Sequence, residues 1–210
     1  MLMREAVVLV HGIWMTGAEM LLLRRRLSQC GFDCYSYRYQ SMRRSPRENA
    51  ANLNYYLQGI PANVIHLVAH SLGGIVLLHL FDQYPQQKPG RVVMLGTPIR
   101  GSQAAQKMAT SRWVQHLLGR SVERGLLGDA PRWQSDRELG MIAGTEGFGV
   151  GKLITRGKLQ QPNDGTVRLA ATCSSGIKDH LALPYSHSGM IFAKPVANAV
   201  CQFLHSGMFE

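Results

Sequence analysis

The run Ala6-Val7-Val8-Leu9-Val10 is apolar at all five positions and breaks off at His11-Gly12. A segment that short, with no polar alternation, fits a strand covered on both faces, as in a parallel sheet. The chain then keeps alternating between such runs and helical patterns. Leucines at helical spacing fill residues 17–29, with Arg24, Arg25 and Arg26 on the polar side, and Gly31 stops that helix. Residues 33–39 alternate and are rich in tyrosine, which predicts a second strand. Ser45-Pro46 opens a helix that runs to about Leu57: serine as N-cap, proline in the first turn, and Glu48 placed for a capping box. Residues 64–69 predict a third strand, 72–83 a helix, and 91–95 a fourth strand ending in Gly96-Thr97-Pro98. Compact β-α-β-α-β-α-β order with right-handed crossovers predicts a three-layer αβα sandwich around a mostly parallel sheet.

Residues 99–137 depart from the pattern. Trp113, Trp133, Leu117, Leu118, Leu126 and Leu127 lie there among basic residues. The segment reads either as a small lid of short amphipathic helices or as a connection whose leucines face the core. Residues 139–143 predict a fifth strand leading to Gly144-Thr145, and a glycine-rich stretch from Gly147 to about Asn163 predicts a mobile loop. Asp164-Gly165-Thr166 is a turn signal. A short strand at 180–183, a loop at 184–189 carrying His187 and a helix at 194–205 complete the chain. No repeat or linker appears, so residues 1–210 read as a single domain, within the size one core supports.

Composition limits the class. With 45% hydrophobic and 17% charged residues the chain is globular. Its net charge of +10 suits anionic partners such as nucleic acid, anionic lipid or an acidic substrate. Several arginines fall between Arg24 and Arg47 and read as a solvated basic face or as a binding patch. Cys30, Cys34, Cys173 and Cys201 lack metal-ligand spacing, and no metal site is expected. Cys34 and Cys201 read as buried free thiols. The apolar run of the first strand is too short for a membrane span or a secretory leader, so the expected location is cytoplasmic.

In parallel sheets ligands bind beyond the carboxyl ends of the strands, and several reactive residues fall there. Ala69-His70-Ser71-Leu72-Gly73 passes from strand to helix through a hydroxyl residue between small neighbours, the form of a nucleophile elbow with Ser71 at its apex. A serine hydroxyl needs a base, and the base needs a group that holds its tautomer. Of the histidines after Ser71, His79 and His205 lie in helices, and His180 begins a strand at the end away from this site. His187 lies just past a strand end and is the candidate base. Asp164 is the candidate acid; Glu146 and Asp179 are rivals, with Asp82 and Asp136 behind them. Backbone amides of Leu72 and Ile13 are the candidate oxyanion donors. Gly12 lets the backbone approach closely, while Trp14 and Met15 line an acyl pocket or belong to the core.

As a set, Val-His-Gly at 10–12, Ala-His-Ser-Leu-Gly-Gly at 69–74, Leu-Gly-Thr-Pro at 95–98 with Gly101-Ser102, Asn-Asp-Gly-Thr-Val at 163–167 and Ser-His-Ser-Gly at 186–189 resemble the α/β-hydrolase superfamily in its compact lipase and esterase branch. The resemblance extends to the group containing inositol-deacylating GPI-processing enzymes. It implies a Ser71–Asp164–His187 triad, an acyl-enzyme, no metal or cofactor, and a small-molecule or lipid ester as substrate. Acyl transfer and thioester hydrolysis would use the same triad. A catalytically silent hydrolase fold that binds a partner through its arginines is the non-enzymatic alternative. Contact with an anionic membrane through the basic surface is expected, and binding of nucleic acid is not. Two departures stand out: Ala69 replaces the first elbow glycine, and the segment between the fourth and fifth strands is short, which leaves room only for a minimal lid.

Overall fold

A computed structural model describes residues 5–148, 154 and 159–209. Six strands form one sheet in the order β2-β1-β3-β4-β5-β6, and every neighbouring pair is parallel. They are β1 (Ala6–Val10), β2 (Asp33–Tyr37), β3 (Ile65–His70), β4 (Val92–Leu95), β5 (Leu139–Gly144) and β6 (Asp179–Leu183). The helices are α1 (Leu21–Gln29), α2 (Pro46–Gln58), α3 (Leu72–Gln83), α4 (Gln103–Ala109) and α5 (Lys194–Ser206).

The strands are apolar throughout because both faces are covered. Ala6, Val8 and Val10 of β1 pack with Leu53 of α2 and Ile75 of α3, while Val7 and Leu9 pack with Leu23 of α1 and Val200 of α5. The same alternation holds in β4, where Val92 and Met94 face α2 and α3, and Val93 and Leu95 face α1 and α5.

Chain order reverses at β1. The first crossover places β2 on one side of it, and the second places β3 on the other. The carboxyl ends of β1 and β3 therefore flank the topological switch point, where open α/β sheets leave a crevice.

Local signals set several boundaries. Ser45 and Glu48 form both halves of the capping box, with Ser45 N–H donating to Glu48 Oε2 at 2.7 Å and Glu48 N–H to Ser45 Oγ at 3.2 Å. The first helical stretch starts as a 3₁₀ turn at Ala18–Met20 before α1 proper. β2 stops at Tyr37, short of the expected Tyr39, because the Tyr39 ring stacks on His11 at 4.2 Å and its hydroxyl donates to the His11 carbonyl at 2.7 Å.

Two expectations need correction or restriction. Cys201 is not a free thiol: it is bonded to Cys30, joining the end of α1 to α5, while Cys34 and Cys173 are free. The pairing brings together residues 171 apart in sequence, which spacing does not reveal. Most of the glycine-rich loop expected between Gly147 and Asn163 lies outside the described residues.

The segment 99–137 folds as α4, two 3₁₀ turns and further turns. Leu118 and Leu126 are buried in the core, whereas Trp113 is 91% exposed and Leu117 50%. Trp133 packs edge-on against Phe81 of α3 and belongs to the body of the fold. Among the described residues no helix is long and apolar enough to cross a membrane.

Candidate active site

Ser71 joins β3 to α3 with φ 53° and ψ −119°, a conformation that non-glycine residues adopt only when their surroundings enforce it. The enforcing contacts are visible. Ser71 N–H donates to the Leu95 carbonyl at 2.8 Å, and the Thr97 hydroxyl donates to the Ser71 carbonyl at 3.1 Å. A side chain at Gly73 would place its Cβ 2.4 Å from the Val10 carbonyl oxygen, so α3 starts directly against the end of β1. The small residue two positions after Ser71 thus serves a contact with the neighbouring strand. Ala69, in the first position of the elbow, is fully buried.

His187 and Asp164 meet at the ends of β4 and β5. His187 Nδ1 lies 2.6 Å from Asp164 Oδ2. The other carboxylate oxygen accepts from the amides of Thr166 at 2.9 Å and Val167 at 2.7 Å, and the His187 amide donates to the Asp164 carbonyl at 2.8 Å. Both residues are buried. These contacts fix the carboxylate and turn the imidazole so that Nδ1 faces Asp164. Gly96, at φ 57°, makes space for the pair: a Cβ there would sit 3.0 Å from His187 Nδ1 and 3.2 Å from Asp164 Oδ2. The rival acids lie elsewhere. Glu146, Asp82 and Asp136 are exposed, and Asp179 accepts from the Phe209 amide at the opposite end of the sheet.

Ser71 and His187 line one cleft, about 720 Å³ including its open mouth, with Gly12, Ile13, Trp14 and Met15 along its β1 side. Among the described residues no hydrogen bond joins the Ser71 hydroxyl to His187. Met108, Leu118, Leu126 and Val167 make much of the remaining wall apolar.

The turn after β1 has one amide to spare. Gly12 N–H points to the Met15 thioether at 3.4 Å and Trp14 N–H to Ser41 Oγ at 3.2 Å, so Ile13 N–H is left without a partner among the described residues. Leu72 N–H is likewise unengaged, as the first amide of α3 must be. Met15 lines the cleft and also packs against the α1/α5 side of the core. Gly12 is closely packed: its Cβ would lie 3.0 Å from His70 Nδ1 and 3.2 Å from Ser71 Cβ.

Two histidines build this site without a role foreseen for them. His11 points Nδ1 at the Gly12 carbonyl, 2.8 Å away, and takes the Tyr39 amide on Nε2 at 3.3 Å, which fixes the turn bearing Ile13. Burial pushes its pKa down and keeps it neutral. His70, next to Ser71, is buried and bonds through Nε2 to the His187 carbonyl at 2.9 Å. Four of the other five histidines are occupied elsewhere: His66 with Glu5, His79 with the Arg124 carbonyl, His180 with Thr172, and His205 stacked on Phe32. Among the described residues no group of His, Cys, Asp and Glu is arranged to hold a metal ion.

Solved structures share this architecture. The mature Bacillus licheniformis lipase BlEst2 is similar with a TM-score of 0.69 at 20% identity, covering 91% of this chain and 88% of its own. Phospholipase PlaB from Legionella pneumophila gives 0.68 at 18% identity, covering 94% of this chain and 57% of its own. The metagenomic carboxyl esterase MGS0156 gives 0.63 at 19% identity, covering 89% and 65%. This chain therefore spans little more than half the length of PlaB and about two thirds of MGS0156. No curated protein matches by sequence. These likenesses show the fold, an α/β-hydrolase fold. The family profile described as "Domain of unknown function (DUF7379)" matches residues 2–143, well over half the chain, and the protein belongs to that family.

Proposed function

We propose that the protein is a serine hydrolase of carboxylic esters with an apolar acyl group, working through an acyl-enzyme on Ser71. The observation that carries this reading is the 2.6 Å contact of His187 with buried Asp164, with His187 and Ser71, at its strained turn, lining one largely apolar cleft. His187 Nε2 takes the Ser71 proton as Oγ attacks the acyl carbon, and returns it to the departing alkoxide, releasing the alcohol. Water then repeats the sequence on the acyl-enzyme and frees the acid. The amides of Ile13 and Leu72 receive the oxyanion, each contributing about 3 kcal/mol to the transition state. Lipase, phospholipase and carboxyl esterase activities among proteins of the same fold support an ester as substrate.

A fluorophosphonate probe tests the reading. It should label Ser71 covalently, and Ser71→Ala should abolish both labelling and hydrolysis of p-nitrophenyl butyrate while leaving the circular dichroism spectrum unchanged. An unlabelled, inactive wild-type protein would instead favour a silent fold with a binding role. A labelled protein that transfers its acyl group to added alcohols faster than to water would favour the transferase form.

A further inference from the structure

We infer that Trp14 is a partition that sets acyl-chain length, standing between the reaction cleft and a separate groove that takes the far end of an alkyl chain. The inference rests on the ester-hydrolase reading above.

The groove is lined by Trp14, Met108, Val114, Leu117 and Ile154, all apolar. Trp14, Met108 and Ile154 also line the cleft that holds Ser71, so the two spaces adjoin and share one wall. A ligand that leaves the cleft past this wall meets only hydrocarbon. An unbranched alkyl chain attached to the acyl carbon fits that sequence of surroundings, polar at Ser71 and His187 and apolar beyond. Each buried methylene would tighten binding about fourfold.

Trp14 is held as a fixture. Its φ of 61° is an outlier for so bulky a residue, of the sort that persists only where the surroundings dictate it. Its backbone amide donates to Ser41 Oγ at 3.2 Å, and its indole Nε1–H donates to the Leu117 carbonyl at 2.7 Å. The ring is thereby tied to the 3₁₀ turn at Gln115–Leu117, across 103 residues of sequence, yet it remains 46% exposed. A surface tryptophan with no task at this place would need neither the backbone conformation nor the two anchors. Because Trp14 directly follows Ile13, the residue that divides the two spaces is also placed beside the candidate oxyanion amide.

The test compares wild-type protein, Trp14→Ala and Val114→Asp on p-nitrophenyl esters from acetate to palmitate. Trp14→Ala should merge the spaces and raise the ratio of long-chain to short-chain kcat/KM at least tenfold, mainly through KM. Val114→Asp, which places a carboxylate in the groove away from the reacting atoms, should lower that ratio by a similar factor. Ratios unchanged in both variants, with the wild type active, overturn the partition and leave the hydrolase reading intact. If Trp14→Ala does not fold, Val114→Asp alone decides. If wild-type protein hydrolyses none of the esters, the hydrolase reading fails, and calorimetric binding of 1-hexanol through 1-dodecanol decides for the groove. Affinity that grows with chain length in the wild type and is lost in Val114→Asp supports it; absent or length-independent binding overturns it.

Discussion

His70 bonds through Nε2 to the carbonyl oxygen of His187 at 2.9 Å and holds its ring 4.7 Å from the His187 ring. Burial drives its pKa down to about 3, so the ring is neutral and the bonded nitrogen carries the proton. Nδ1 has no partner. The residue before Ser71 thus braces the loop of His187, although 117 positions separate the two. Replacing His70 with Ala should lower kcat about tenfold, the equivalent of one net hydrogen bond of about 1.4 kcal/mol. Gln, which retains an N–H donor, should recover part of the loss. Equal kcat in the Ala variant would show that the loop needs no brace.

Acid should destabilise the protein. His11, His66, His70, His79 and His180 all have pKa values lowered in the folded state, each chiefly by burial. Their contribution is fully present above the unfolded value near 6.5 and is lost as pH falls, because the unfolded chain then binds protons that the folded one excludes. For His70 the loss continues down to about pH 3, at up to ~1.4 kcal/mol per pH unit. Urea melts at pH 7, 6 and 5 should show falling stability, and His70→Phe should flatten that slope. A flat profile in the wild type would contradict it.

Gly73→Ala should destabilise the fold by more than about 3 kcal/mol, since its Cβ would meet the Val10 and His11 carbonyls at 2.4 Å and 2.7 Å and neither backbone can withdraw. Gly74→Ala meets the Thr97 side chain at 2.1 Å, and Thr97→Ser should relieve part of that cost by removing the methyl group. Denaturant midpoints of the three variants measure both statements.

Protein denatured without reductant should expose two thiols, Cys34 and Cys173, and four after reduction. Cys201→Ser should lower stability by roughly 2–5 kcal/mol. Four thiols before reduction would remove the bridge. Since persisting disulfides belong to oxidising compartments, the same titration on protein from its native host bears directly on the expected cytoplasmic location.

The order of elements was legible because each announces itself locally: β1 by five apolar residues, α2 by Ser45, Pro46 and Glu48, α3 by the turn at Ser71. Ser71, Asp164 and His187 could be nominated because parallel strands send their following loops to one end of the sheet. What escaped notice depends on contacts between distant residues. Cys30 meets Cys201, Trp14 meets Leu117, and His70 meets His187 through a backbone carbonyl that has no side-chain signature. Tyr39 left its expected strand for a ring contact with His11 that no periodicity encodes.

The bond between Cys30 and Cys201 closes most of the polypeptide into a covalent ring, and Ser71, Asp164 and His187 all lie on it. One protease cut anywhere on that ring would open it without releasing a piece. The nicked protein would run as a single species on a non-reducing gel and as two fragments after reduction, and Ser71 and His187 would remain on one molecule.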